Sequence, residues 1–224
     1  MRGEKDKLVG TYLIRGACCL YINFSPTERN QLKEILLVLD MQNDFVHAEG
    51  PMAKSPMGAQ VAERGILART AAVIKKARES GVRVGFVRVA FSADYKECPP
   101  SSPVFGGLPK AGLLKLGEWG ADIHPQLVPQ PEDVQIVKHR VSPFFQTSLE
   151  LQLRTLGVGR IYCCGVSTQA VVQATVRDAH DRDFDVVVLE DCCAAHSAEE
   201  HTNSMTSIAR FCRAASSETL RFGV

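Results

Sequence analysis

The sequence of 224 residues lacks an excess of charge of either sign, because 26 lysines and arginines stand against 25 aspartates and glutamates and the formal net charge is +1. It also lacks a basic run interleaved with aromatic side chains, the pattern that holds a phosphate backbone. We therefore expect no nucleic-acid partner. Hydrophobic residues make up 45% and charged residues 23% of the chain, which is the composition of one ordinary globular domain.

Long hydrophobic runs are also missing. The apolar segment at residues 8–24 is interrupted by Arg15 and falls short of the ~18 apolar residues that a membrane span requires. The eight cysteines lack the C-x-x-C spacing of zinc sites, and most of them stand as adjacent pairs. We therefore predict reduced, buried thiols. These absences predict a cytoplasmic protein without a membrane partner.

Apolar runs of strand length alternate with segments of helical spacing. The predicted strands lie at residues 35–39, 82–89, 134–138, 161–164 and 186–189, and the predicted helices at residues 62–80, 147–156, 168–182 and 198–211. Continuous rather than alternating apolarity indicates strands that are buried on both faces. The alternation therefore predicts an α/β fold, a mainly parallel sheet with helices on both sides.

Two segments fall outside this pattern. Residues 1–33 have no clear period, so we treat them as an N-terminal extension of uncertain order that precedes one folded domain at residues 34–224. Residues 91–131 are rich in proline and glycine and predict a long irregular excursion. Long ordered loops in compact domains are usually binding or lid elements.

Polar residues follow three of the predicted strands. Asp40 follows the first strand, Lys138 closes the third, and the turn at residues 165–168 follows the fourth and opens a helix. Ligands of open α/β sheets bind beyond the carboxyl ends of the strands. We therefore predict that these residues converge on one edge of the sheet. A purely structural ion pair between Asp40 and Lys138 is the alternative.

Three ordered segments resemble the isochorismatase-like cysteine hydrolases: residues 39–45 (LDMQNDF), residues 138–144 (KHRVSPF) and residues 165–179 (GVSTQAVVQATVRDA). The resemblance extends over about residues 34–219. It implies a Rossmann-like three-layer α/β/α sandwich, a homo-oligomer, and a triad of Asp, Lys and Cys that hydrolyses small amides. Isochorismatases are relatives that act on a vinyl ether. Asp40 matches the acid/base of the family and Lys138 its lysine.

The nucleophile position departs from the family pattern. The family cysteine stands six residues after the turn glycine, and that position is Val171 here. Valine has no nucleophile, so a thioester route cannot start from it. Ser167 and Thr168 are alternative nucleophiles, although their natural role is to cap the following helix. Cys163 and Cys164 lie at a buried-looking strand and are the remaining alternatives.

Several residues are candidates for substrate contact. The backbone N–H groups near Val166, Ser167 and Val171 would form an anion-binding nest at a helix N-terminus. Arg140 could pair with a substrate carboxylate. The predicted substrate-binding residues are Phe45, Arg140, Val166, Ser167 and Thr168.

Two function hypotheses follow. In the first, the chain is a cysteine-independent hydrolase of a small molecule, as the resemblance to isochorismatases with glycine at the nucleophile position implies, with Asp40 as general acid and Lys138 adjusting its protonation. In the second, it is a catalytically silent relative that binds a small ligand or a protein partner. Amide hydrolysis through Ser167 or Thr168 ranks last.

Cofactor signatures are missing. No G-x-G-x-x-G follows a predicted strand. Residues 91–94 lack the Asp and His cluster that the metal-dependent nicotinamidases of this superfamily carry. We therefore expect neither a metal nor a dinucleotide cofactor.

Overall fold

Six parallel strands form a single sheet in the computed structural model, which describes residues 32–223. The strands are β1 (Lys33–Leu39), β2 (Arg83–Val89), β3 (Val134–Lys138), β4 (Val158–Val166), β5 (Asp185–Ala194) and β6 (Arg213–Ala215). Their order across the sheet is β3-β2-β1-β4-β5-β6, and every neighbouring pair is parallel. This arrangement confirms the predicted three-layer α/β architecture.

The helices fill the connections between the strands. They are α1 (Asn43–Val46), α2 (Pro56–Glu63), α3 (Ile66–Glu79), α4 (Leu108–Ala111), α5 (Leu149–Leu156), a π-helical turn (Thr168–Val172), α6 (Gln173–His180) and α7 (Ala198–Ile208). The helix predicted at residues 62–80 is instead two helices. Gly65 adopts a left-handed backbone (φ 59°) between them, which glycine does at little cost.

The core is centred on β1. Its residues 35–39 are fully buried, because β2 and β4 flank the strand and helices cover the sheet. A continuous apolar run is what such a strand requires. Residues 1–31 of the predicted N-terminal extension (residues 1–33) lie outside the described residues. Lys33 is already part of β1.

The register of the strands brings the predicted site residues to one end of the sheet. Leu39 pairs with Gly165 of β4, and Val89 pairs with Lys138 of β3. A Cβ atom on Gly165 would lie 2.1 Å from the carbonyl oxygen of Leu39. The close approach of β1 and β4 at this end therefore depends on glycine.

The excursion at residues 91–131 is packed rather than loose. It carries two short 3-10 turns (Trp119–Ala121 and Pro125–Leu127) besides α4. Its apolar side chains form a second core cluster with the end of β2, comprising Val89, Phe91, Tyr95, Cys98, Phe105 and Leu114. Among the described residues, no helix has the length and apolarity needed to cross a membrane.

Candidate active site

A buried ion pair lies where β1 and β3 end. Lys138 Nζ donates a hydrogen bond to Asp40 Oδ2 at 2.8 Å, and it also donates to the carbonyl oxygen of Arg140 at 3.1 Å. The Lys138 residue is 1% exposed and Asp40 is 5% exposed. Two side chains from strands that are not neighbours in the sheet therefore meet, as the strand-end argument predicted.

The second oxygen of Asp40 is not used by the described part of the chain. Asp40 Oδ1 is buried and has no hydrogen-bond partner among residues 32–223. Burial raises the pKa of this carboxyl above its ordinary value of 3.8, and the charge of Lys138 offsets only part of that effect. An acid with a raised pKa and one unoccupied oxygen can hold a proton and deliver it to a bound molecule.

The backbone of Asp40 is itself unusual. Its φ is 54°, in the left-handed region, which Asp tolerates better than most residues but still at a cost. The N–H group of Asp40 donates to the carbonyl oxygen of Val87 at 2.9 Å. This bond extends the pairing of β1 with β2 by one residue beyond Leu39, at the point where the chain turns. It therefore fixes the position of the Asp40 carboxyl.

The segment after β4 carries the predicted nucleophile position. The strand runs through Val166, so the turn predicted to begin at Gly165 begins two residues later. Val166 is 3% and Val171 2% exposed, and Thr168 is fully buried. Val171 lies in the π-helical turn, and its carbonyl oxygen accepts a hydrogen bond from Thr175 Oγ1 at 2.7 Å. Buried methyl groups therefore occupy the predicted nucleophile position.

Capping is not the role of the two hydroxyls in this segment. Ser167 precedes the π-helical turn, but its side chain makes no capping hydrogen bond. Its carbonyl oxygen instead accepts from the N–H groups of Ala170 and Val172. The interpretation of Ser167 and Thr168 as capping side chains is therefore wrong. The i→i+5 geometry of this turn lets the carbonyl group, rather than the hydroxyl, take up the first amides.

Thr168 belongs to a buried network that the sequence did not reveal. Thr168 Oγ1 lies 2.9 Å from His201 Nδ1, and the other ring nitrogen of His201 lies 3.1 Å from Arg64 Nη2. A guanidinium can only donate, so Arg64 favours the tautomer in which His201 Nε2 accepts and Nδ1 carries the proton, against the opposing effect of Glu190 Oε1, which lies 3.7 Å from the same Nε2. Burial, aided by Arg64, lowers the pKa of His201 and favours this neutral form.

The tautomer decides what Thr168 can do. Because Nδ1–H donates to the Thr168 hydroxyl oxygen, the ring has no lone pair left with which to accept the hydroxyl proton. His201 is therefore a positioning partner of Thr168 rather than its general base. Activation of a threonine nucleophile needs such a base, so the geometry argues against amide hydrolysis through Thr168.

The two strand cysteines are equally poor nucleophiles. Cys163 and Cys164 are fully buried, and burial raises the pKa of both thiols well above the ordinary value. Only the thiolate is a competent nucleophile. Both side chains therefore act as small hydrophobic core residues.

The remaining predicted contacts, Phe45 and Arg140, lie on the side of the excursion. Phe45 is partly buried and packs against both the main core and the second cluster. Arg140 Nη1 donates to the carbonyl oxygens of Glu97 at 3.0 Å and His139 at 2.6 Å. Arg140 thereby ties the segment after β3 to the excursion.

The residues after Asp40 hold the excursion in place. Gln42 Nε2 donates to the carbonyl oxygens of Val89 and Ala121, each at 2.9 Å. Asn43 Nδ2 donates to the carbonyl oxygen of Trp119, and Asp44 Oδ2 accepts from the N–H group of Leu114. Three excursion residues are therefore tied to the segment that follows β1. Within residues 32–223 there is no group of three or more His, Cys, Asp or Glu placed to hold a metal ion.

The chain is similar to proteins of one known family. The isochorismatase domain family matches residues 34–219. The uncharacterized isochorismatase family protein YecD of Escherichia coli O157:H7 is 36% identical over 182 residues, which cover 81% of this chain and 90% of YecD. The ureidoacrylate amidohydrolase RutB of Methylorubrum extorquens is 30% identical over 196 residues, covering 82% and 77% of the two chains.

Solved structures show the same fold. An isochorismatase family protein from Desulfovibrio vulgaris superposes with a TM-score of 0.75 at 28% identity, covering 84% of this chain and 96% of that one. The match spans nearly the whole of that relative, so the two proteins share this α/β fold.

Proposed function

Because the chain belongs to the isochorismatase family, we propose that it is a hydrolase that acts on a small molecule without a thiol nucleophile. The observation that carries this proposal is the Asp40 carboxyl, which is buried beside Lys138 and has one oxygen that no residue of the described chain occupies. Val171 also supports the proposal, because valine has no thiol and no thioester can form at that position.

Vinyl-ether hydrolysis uses these groups directly. Asp40 donates its proton to the vinyl carbon, which leaves an oxocarbenium ion that water attacks. The carboxylate of Asp40 then takes the proton from that water, and the hemiketal breaks its C–O bond to give a ketone and an alcohol. Lys138 stabilises the carboxylate in the interval between the two proton transfers. Val171 contributes an apolar wall and takes no part in bond making.

The alternative is a silent relative that binds a small ligand or a protein partner. One observation favours it: Asp40 Oδ2 and Lys138 Nζ are 2.8 Å apart, so the two charges satisfy each other without a substrate. Loss of the cysteine would then mark loss of turnover rather than a change of reaction.

The deciding experiment compares wild type, Asp40→Asn, Val171→Cys and Val171→Ala. Each is incubated with isochorismate and, separately, with ureidoacrylate and small primary amides, and products are followed by mass spectrometry. We expect wild type to hydrolyse isochorismate and Asp40→Asn to lose at least about a hundredfold in rate, the typical contribution of a general acid.

The Val171 variants separate the two hypotheses. Val171→Ala opens the same space without a thiol, so it controls for Val171→Cys. If wild type is inactive on every compound while Val171→Cys alone hydrolyses amides, the hydrolase proposal is overturned. The pocket would then belong to a silent relative that has lost its nucleophile.

We also propose that the protein is cytoplasmic and forms a homo-oligomer, with helices in residues 168–211 as candidate contacts. The cysteines of the described region support the first statement, because all six are free and five are buried. For the second, light scattering after size exclusion should give a multiple of the 24.5 kDa chain mass. A species of one chain mass at all concentrations would contradict it.

A further inference from the structure

Two histidines and a tryptophan meet where the excursion packs on α1. The ring centroids of His47 and His124 lie 5.0 Å apart with the planes inclined by 36°, and the ring of Trp119 lies 5.0 Å from that of His47 in an edge-to-face contact. His47 directly follows α1, whereas Trp119 and His124 belong to the excursion. The ring cluster therefore joins the excursion to the segment after β1.

Hydrogen bonds beside the cluster connect it to the ion pair. The N–H group of His124 donates to the carbonyl oxygen of Met41 at 2.9 Å, and Met41 is the residue after Asp40. Asn43 Nδ2 donates to the carbonyl oxygen of Trp119 at 2.8 Å. A displacement of the rings therefore acts on the backbone that presents the Asp40 carboxyl.

Each imidazole accepts a hydrogen bond from the main chain. His47 Nδ1 accepts from the N–H group of Glu49 at 3.1 Å, and His124 Nδ1 accepts from the N–H group of Gln126 at 3.2 Å. Both nitrogens of an imidazolium carry protons, so only a neutral ring can accept such a bond. Protonation of either ring would replace a hydrogen bond by two opposed N–H groups.

The two rings also interact through their charges. Two protonated rings with centroids 5.0 Å apart repel each other. The acidic and basic side chains of the surrounding elements are paired among themselves, at 2.6 to 3.6 Å: Asp122 with Arg88, Glu118 with Lys115, and Arg78 of α3 with Asp133. Glu49 forms no ion pair with either ring within residues 32–223. No counter-charge of the described chain therefore offsets the repulsion.

The balance of these effects has a definite sign. Burial lowers the pKa of His124 below its ordinary value of 6.5, and the charge of His47 lowers it further. A ring that has moved into water takes up its proton at a higher pH than the packed ring does. The packed arrangement is therefore fully stable above pH 6.5, and it loses stability as the pH falls from 6.5 towards the pKa of the packed ring.

We propose that His47 and His124 form an acid-sensitive latch on the excursion. The neutral rings hold the excursion against the segment after β1, and the excursion separates from that segment when the rings take up protons. The latch does not depend on the proposed reaction, because it would act in the same way in a hydrolase and in a silent relative.

Asparagine gives a matched variant for each ring. Its Oδ1 accepts a hydrogen bond from the N–H group two residues later, as Nδ1 does here, and it does not titrate. The full chain is compared as wild type, as the double variant His47→Asn/His124→Asn, and as the control His180→Asn. His180 is exposed and contacts Phe211 in another part of the molecule.

Hydrogen exchange measured by mass spectrometry reports the opening of residues 113–128. We expect their protection, corrected for the intrinsic exchange rate, to fall at least about threefold between pH 7.5 and 5.5 in wild type and in His180→Asn. The double variant should show no such fall. An equal fall in the double variant, or constant protection in wild type, would overturn the proposal.

NMR titration of the imidazole protons tests the coupling of the rings without the double variant. In wild type, His124 should titrate with a pKa below 6.5. In His47→Asn the neighbouring charge is absent, so the pKa of His124 should rise. A wild-type pKa at or above 6.5, or a pKa that is the same in both proteins, would contradict the latch.

Discussion

Asp40 concentrates several energetic costs in one residue. It is buried, its backbone is left-handed, and one of its oxygens has no partner in the described chain. Burying an ion pair costs desolvation energy that the attraction of Lys138 does not fully recover. Such costs concentrate at functional sites, because the surrounding fold must over-determine an unfavourable arrangement. Asp40 therefore combines these costs at the centre of the proposed active site.

The raised pKa of Asp40 makes stability depend on pH. The folded protein holds the carboxyl proton at pH values where the unfolded chain, with a pKa near 3.8, has released it. This contribution to the free energy of unfolding is complete below that value and is lost as the pH rises through the folded-state pKa. Asp40→Asn cannot titrate and lacks the contribution.

We therefore expect the stability difference, wild type minus Asp40→Asn, to fall as the pH is raised above about 3.8. Its slope should reach at most about 1.4 kcal/mol per pH unit, the value for one proton. Urea unfolding of both proteins from pH 4 to 7 measures it. A difference that is constant or rises with pH would contradict the raised pKa.

At the scale of elements, the end of β4 is the most constrained. Gly165 has a φ of 148° and pairs with Leu39, whose carbonyl oxygen lies where a side chain would begin. The π-helical turn with Val171 starts three residues later. The spacing between the central strands therefore sets where this turn begins, and with it the position of Ser167 and Thr168.

Substitution tests this constraint. Gly165→Ala should lower the free energy of unfolding by roughly 3 kcal/mol and the Tm by about 6–12 °C, because β1 and β4 must move apart. Gly107→Ala is the matched control, since a Cβ there has nothing within 4 Å and φ is −83°. It should be close to neutral. Equal effects of the two substitutions would mean that the contact with Leu39 carries no constraint.

The sequence predicted some of these elements and not others. The apolar runs located β3 to the residue and placed Asp40 and Lys138 at strand ends, because buried strands leave a strong signal. The break at Gly65 was missed, because a single glycine fits both a continuous helix and two helices. The π-helical turn was also missed, since one i→i+5 turn barely changes apolar spacing.

At the scale of the whole molecule, a cavity of about 460 Å³ beside the excursion could not have been predicted from the sequence. Its lining comes from the excursion, from the segment after β3 and from α6, which are distant in sequence and meet only in the fold. The excursion in turn is held by Gln42 and its neighbours. The segment after β1 therefore presents Asp40 and also anchors the excursion.

Gln42→Glu tests this coupling. The carboxylate would face the carbonyl oxygens of Val89 and Ala121 without a proton to donate. We expect a loss of about 3 kcal/mol in stability and faster hydrogen exchange in residues 91–131, measured by mass spectrometry under native conditions. Gln42→Met removes the two donated bonds, and also the bond that Gln42 Oε1 accepts from the Val89 N–H group, without adding charge. It should show a smaller change. Unchanged exchange in residues 91–131 would contradict the anchoring role.

The central place of β1 in the sheet also bears on how the protein is made. β1 needs β4 on one side, yet β4 begins only at Val158, and β2, the excursion and β3 lie between them in the chain. On the ribosome, β1 and β2 emerge long before that partner. One edge of a strand whose residues 35–39 are all apolar then remains unpaired, the kind of edge that invites pairing with other chains. The order of synthesis thus differs from the order of assembly, and the nascent chain must be protected until β4 has emerged.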